Sequence, residues 1–270
     1  MNNLFRKKHE LWLKVLFGAF SLPKGEWFDT LLDFANMQYR HLKWIAKAIV
    51  ENGSDFDWDR EHIQLGFDNS TLLFKDIIDS IEAIQKEYPE SKLFERIQSD
   101  ESFMLYMLEK FSKQEPIDIH SFDRHLSYKS LDQESLSSLV QFLFEEIYKE
   151  YELIVTYTYS QIHTKQSELS LIFEDLIYES FYHLKSFCVI AAKLGILAVP
   201  RVVMKEVYKF DDMKQFLKDG IEEELAAKEQ CKALSAAVKD EELSKFFDCI
   251  NNQEDYHIEL MKRALGQIGG

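Results

Sequence analysis

The chain has 270 residues, 46% of them hydrophobic and 14% aromatic, and a formal net charge of -15. That length fits two domains of ordinary size, and the acidic balance argues against a nucleic-acid phosphate partner or an anionic membrane surface while leaving cations as natural company. Only nine Gly and four Pro punctuate the chain, and long amphipathic runs with so few breaks predict an all-helical protein.

In chain order, the amino terminus comes first. Arg6-Lys7-Lys8 before an apolar stretch imitates the start of a signal peptide, but Glu10 and Lys14 interrupt the stretch and no small-residue cleavage pattern follows. The first helical hairpin is expected near 3–20 (A) and 25–52 (B), then a connection near 53–67, then helices near 69–88 (C) and 90–113 (D). A polar linker over 116–131 separates a domain at 1–115 from one at 132–270. The second half repeats the plan. Helix A runs from about Asp132 to His163 and helix B from about Ser167 to Leu194, with Gly195 as the glycine that ends it. An apolar, non-periodic connection containing Pro200 covers 196–210. Asp211 or Asp212 can N-cap helix C, which runs to about Val238, and helix D runs from about Asp240 to Leu265. The cysteines Cys188, Cys231 and Cys249 are odd in number and form no Cys-x-x-Cys, which excludes a rubredoxin-type centre or zinc knuckle and argues against a disulfide framework. No run is long enough for a membrane span, so a soluble, cytoplasmic protein is expected.

The two halves are related as repeats. A shift of 142 carries Lys7, Glu10 and Leu11 onto Lys149, Glu152 and Leu153, and His41-Leu42-Lys43 onto His183-Leu184-Lys185. A shift of 143 then joins Phe67-Asp68 to Phe210-Asp211, and a shift of 153 joins Ser91-Lys92-Leu93-Phe94 to Ser244-Lys245-Phe246-Phe247. Short turns between A and B and between C and D make antiparallel hairpins. The longer B–C connection gives each repeat one long crossover.

In an antiparallel hairpin, residues equidistant from the turn lie at one level. Glu152 and Ser180 bracket the first turn of the second repeat in this way, and Glu222 and Glu254 bracket the second. Glu254-x-x-His257 places a carboxylate and an imidazole on one helix face, and His183 follows Ser180 by three residues. The candidate set is therefore Glu152, His183, Glu222, Glu254 and His257, with Glu179 and Glu223 as close alternatives. Buried together, such groups are costly unless protonated, paired or metal-bound, and mixed carboxylate and imidazole ligands suit iron or manganese. Taken singly, each has a plainer reading: Glu222-Glu223-Glu224 as a solvated acidic face, His183 as a satisfied core histidine. His9, His62, His120, His125 and His163 are expected in loops or on the surface, and Tyr148, Tyr178, Tyr182 and Tyr256 mainly in core packing.

With these residues in place, the second repeat resembles the ferritin-like di-iron carboxylate superfamily, in the manner of rubrerythrin and bacterioferritin. That family's pattern is Glu on A, Glu-x-x-His on B, Glu on C and Glu-x-x-His on D. Glu152, His183, Glu222, and Glu254 with His257 fit it, while Ser180 stands where the B glutamate belongs and Glu179 beside it is rotated by about 100°. The first repeat keeps Glu10, His41, Asp79 and Glu101 but has Gln38 and Met104 at the B-glutamate and D-histidine positions, a degenerate site. The resemblance implies two tandem ferritin-like four-helix bundles, the second holding two iron ions (or manganese) on Glu152, Glu179, His183, Glu222, Glu254 and His257. It implies an oxidoreductase that reacts with dioxygen or peroxide, draws electrons from an external donor, and is compatible with a homo-oligomer. The competing reading is a non-catalytic helical scaffold or binding protein whose metal sites have decayed. Iron storage in a cage fits a fused double bundle less well.

Overall fold

A computed structural model describes residues 1–61, 63–119, 131–210, 212–237 and 240–268. The described residues form nine helices and no strand: α1 (Asn2–Phe20), α2 (Glu26–Glu51), α3 (Ser70–Gln85), α4 (Lys92–Ser112), α5 (Gln133–His163), α6 (Ser167–Lys193), the single turn α7 (Lys205–Tyr208), α8 (Met213–Ala237) and α9 (Glu241–Ile268). Among them no helix is long and apolar enough to cross a membrane.

Local chemistry sets the helix ends. The side chains of Asn69, Ser91 and Asp132 accept hydrogen bonds from the backbone N–H of Leu72, Phe94 and Ser135, satisfying donors that the first turn leaves open. Asp212 does the same for Gln215 at the start of α8; Asp211, the other candidate cap, lies outside the described residues. Gly53 and Gly195 follow the last turns of α2 and α6 at φ 75°, a left-handed conformation that a side chain disfavours. Their matching places reflect the repeat.

The chain divides into two compact units, Met1–Arg124 with Gly195–Val202 and His125–Leu194 with Val203–Gly270. The division thus takes the start of the second B–C connection out of the expected 132–270 domain. Arg60 donates a hydrogen bond to the Pro200 carbonyl within the first unit. Most of the expected linker lies outside the described residues, as do His62, His120 and His125.

In the first unit α1 packs on α2 and α3, and α4 on α2 and α3. In the second, α5 packs on α6 and α8, and α9 on α6 and α8. The helices of each unit therefore stand in the same ring order. Their apolar faces meet inside. Phe5, Trp12, Phe56 and Trp58 form a buried aromatic group in the first unit, and Phe142 packs edge-on against Phe187 and Phe247 in the second. His9, expected at the surface, is fully buried against Trp12 and Trp58, because the phase of α1 turns it toward the core. His163 is exposed at the end of α5 as expected. Tyr178, Tyr182 and Tyr256 are exposed and take no part in the core. They belong to the outer faces of α6 and α9.

Candidate metal centre

Each unit buries a polar group at mid-height. In the second unit four helices contribute. On α5 the inward positions recur at Leu139, Leu143, Glu146, Glu150, Ile154 and Tyr157, a three-to-four-residue rhythm that turns both carboxylates inward. On α6 it is Ser180 and His183, one turn apart, and on α9 Glu254 and His257. On α8 the rhythm runs Leu217, Gly220, Glu224, Ala227, Cys231, Leu234. Gly220 lets α8 approach α9 one turn before Glu224: a Cβ there would lie 3.2 Å from the Met261 Cε.

The sequence-expected residues divide accordingly. His183, Glu254 and His257 come together, fully or almost fully buried, with ligand atoms all within 4.8 Å of one another. Glu152 is half-buried and outside this group, and Glu222 is exposed. The carboxylates that enter from those helices are Glu150 and Glu224, two residues away in each case. The reason is rotational: two residues turn a helix by about 200°, from the core to the opposite face. Glu179 is half-buried and Glu223 exposed; Glu223 lies 3.6 Å from Lys149 Nζ. A signal for the right pair was present in the apolar rhythm of α5 and α8, with which Glu150 and Glu224 keep step and Glu152 and Glu222 do not.

The geometry centres on Glu254. Its Oε1 lies 3.4 Å from His183 Nδ1 and its Oε2 3.3 Å from His257 Nδ1. His183 Nδ1 is also 3.0 Å from Glu150 Oε1, and His257 Nδ1 is 3.8 Å from Glu224 Oε1. The two imidazoles stand nearly perpendicular, centroids 5.6 Å apart. Several buried polar atoms have no hydrogen-bond partner among the described residues: Glu150 Oε2, Ser180 Oγ and the Nε2 of both histidines. Tyr157, its hydroxyl equally unpartnered, packs against His257.

The electrostatics register an excess of negative charge. Burial opposes a charged His183, but Glu150 and then Glu254 outweigh it and raise the imidazole to about 9. Burial and the charge of Glu224 push Glu254 up to about 10. Burial works against the Glu224 carboxylate, yet His257 and Lys149 hold it below the usual range. Protons on His183 and Glu254 thus stand in for positive charge. A divalent cation would displace them, since it binds deprotonated ligands.

The first unit solves the same problem differently. At the repeat shift of 142, Glu150 corresponds to Lys8. The fully buried Lys8 ammonium lies 2.5 Å from Glu101 Oε1 and donates to Gln38 Oε1. Glu101 accepts further hydrogen bonds from Gln38, Gln85 and Tyr88; burial holds the Lys8 ammonium below its ordinary range, and the pairing with Glu101 opposes this only in part. Met104 accepts from Gln38 at the place of His257. Of the expected first-repeat set, Glu101 and His41 are buried, His41 3.1 Å from Asp100. Glu10 is half-buried and accepts from the Glu61 backbone, and Asp79 is exposed. Where the second unit converges carboxylates and imidazoles, the first has a complete internal ion pair.

No family model, curated protein or solved structure matches the chain. The functional reading therefore rests on the geometry of this group.

Proposed function

We propose that the second unit is a ferritin-like bundle that binds two divalent transition-metal ions, iron or manganese, and reacts with dioxygen or peroxide. One observation carries the reading: the two oxygens of Glu254 face two different imidazole Nδ1 atoms, each with a second carboxylate beside it. These residues would serve as donors to a pair of ions, with Glu254 available to both. Glu150 with His183 would hold one ion and Glu224 with His257 the other. The fit is chemical as well as spatial, because mixed carboxylate and imidazole donors suit iron and manganese and Glu150 Oε2 is buried with no hydrogen-bond partner. The ring order of the helices and the long link between α6 and α8 agree with the ferritin-like connectivity.

When bound, the ions would supply Lewis acidity and electrons to a small oxidant. The chain's own residues do the rest. Carboxylates on three helices fix the spacing, and Phe187 beside His183 and Tyr157 beside His257 keep water from the ring faces. Lys149, 3.9 Å from Glu224, balances charge on the α8 side. With no Cys-x-x-Cys centre in the chain, reducing equivalents come from an external donor. The free cysteines, Cys188 and Cys231 buried as thiols, agree with a reducing, cytoplasmic setting.

The scaffold reading is favoured for the first unit alone, by the Lys8–Glu101 pair. Metal analysis tests the whole proposal. Aerobically purified protein is expected to hold iron or manganese, and Fe(II) added without oxygen to bind at about two ions per chain and raise the melting temperature. Absence of both metals above trace, with no change in melting or spectrum on Fe(II) addition, overturns it.

A further inference from the structure

The donor set described so far is one carboxylate short on α6. Position 180 faces the centre, as its repeat equivalent shows: Gln38 in the first unit accepts from Lys8 and donates to Glu101. At Ser180 the side chain lacks the reach to do this, and its buried hydroxyl finds no partner. Three carboxylates, Glu150, Glu224 and Glu254, leave the charge of two divalent ions incompletely balanced.

A further buried acid lies one turn away. Glu146 precedes Glu150 by four residues on the same face of α5 and is only 8% exposed. Among the described residues it has neither a hydrogen bond nor a salt bridge; Lys149, the nearest cation in sequence, is within salt-bridge distance of Glu223 and Glu224 instead. A carboxylate this largely buried, with no hydrogen bond or salt bridge, is costly to charge unless a cation compensates it. The first unit, whose centre is closed by Lys8, has apolar Leu4 at the equivalent position. The extra acid therefore occurs in the unit that gathers the imidazoles and has a short serine at position 180.

We propose that Glu146 is a further metal ligand of the second unit, supplying from α5 the carboxylate that Ser180 does not supply from α6. The inference rests on the metal reading and completes it: Glu146, Glu150, Glu224 and Glu254 balance two divalent ions, with one imidazole for each. Burial raises the Glu146 carboxyl to about 8, with Lys149 opposing the shift and Glu150 and Glu224 adding to it. Glu179, next to Ser180, is the rival; it is half-buried and turned away by about 100°.

The test is Mn(II) binding by calorimetry, with metal content after anaerobic Fe(II) loading, for wild type, Glu146→Ala, Glu146→Gln, Glu179→Ala, Ser180→Glu and the double variant Glu146→Ala/Ser180→Glu. Metal-free melting of each serves as the control for folding. Both Glu146 variants are expected to lose affinity on the order of tenfold or more, or one ion of two, while folding normally without metal. Glu179→Ala should match wild type, and the double variant should recover what Glu146→Ala loses. Wild-type binding in well-folded Glu146→Gln, or loss in Glu179→Ala instead, overturns the assignment and leaves the metal centre standing. Failure of the wild type to bind metal removes both.

Discussion

Lys8 and Glu150 occupy equivalent places in the two units and carry opposite charge. In the first unit the positive charge is covalently attached, and burial of Glu101 depends on it. Lys8→Met should therefore destabilise the first unit by about 3–5 kcal/mol, the cost of stranding a buried charge, read as a lower denaturant midpoint at unchanged slope. Replacing both partners, Lys8→Met with Glu101→Leu, should recover most of it; a loss under about 1 kcal/mol in the single variant would show that the pair does not hold the unit together. Within the first unit His9 and His41 make the fold sensitive to acid. Burial and then Arg60 lower His9 to about 3, and burial and then Lys8 lower His41 to about 4. Below about 6.5 the unfolded imidazoles take protons that the folded ones refuse, so stability present above that pH is lost as it falls toward 4, by up to about 1.4 kcal/mol per pH unit for each group. Denaturation of the first unit from pH 7 to 5 should lose stability more steeply in the wild type than in His9→Phe; identical profiles would mean that His9 takes protons in the fold as readily as in the unfolded chain. At this scale the sequence was only partly legible. The shift that pairs Glu10 with Glu152 pairs Lys8 with Glu150 equally well, and a lysine gives no sign in the sequence that it stands where the other half buries a carboxylate.

Helix phase separates the acids that turn inward from those that stay in solvent. On α8 Glu222, Glu223 and Glu224 are consecutive, and only Glu224 keeps step with Leu217, Gly220, Ala227, Cys231 and Leu234. The level rule for hairpins could not distinguish them, because moving one partner by two residues moves the midpoint by only one, which stays within the turn. The helix ends and the Glu-x-x-His spacing on α9 were legible, being local. The same division by element gives a prediction. Metal bound at the proposed centre stabilises the folded form by mass action, about 2.7 kcal/mol at a hundredfold excess over Kd. Hydrogen exchange should accordingly slow in α5, α6, α8 and α9 on Mn(II) addition and stay unchanged in α1–α4. Slowing in the first unit as well would place metal on that unit.

At the scale of the molecule, the sequence alone determined that the described residues are helical and where their long helices begin and end; the similarity of its halves is a feature of the sequence itself. These follow from periodicity, capping residues and internal similarity, which are properties of neighbours along the chain. It also picked out His183, Glu254 and His257, because three-residue spacing places two groups on one face whatever the surroundings. The tertiary structure decided which acids on the other helices turn inward, that Glu146 lies buried without a partner, and that Lys8 closes the first unit. Those outcomes depend on how each helix is rotated about its axis against its neighbours, a choice made by the packing of whole apolar faces and not by any local run of residues.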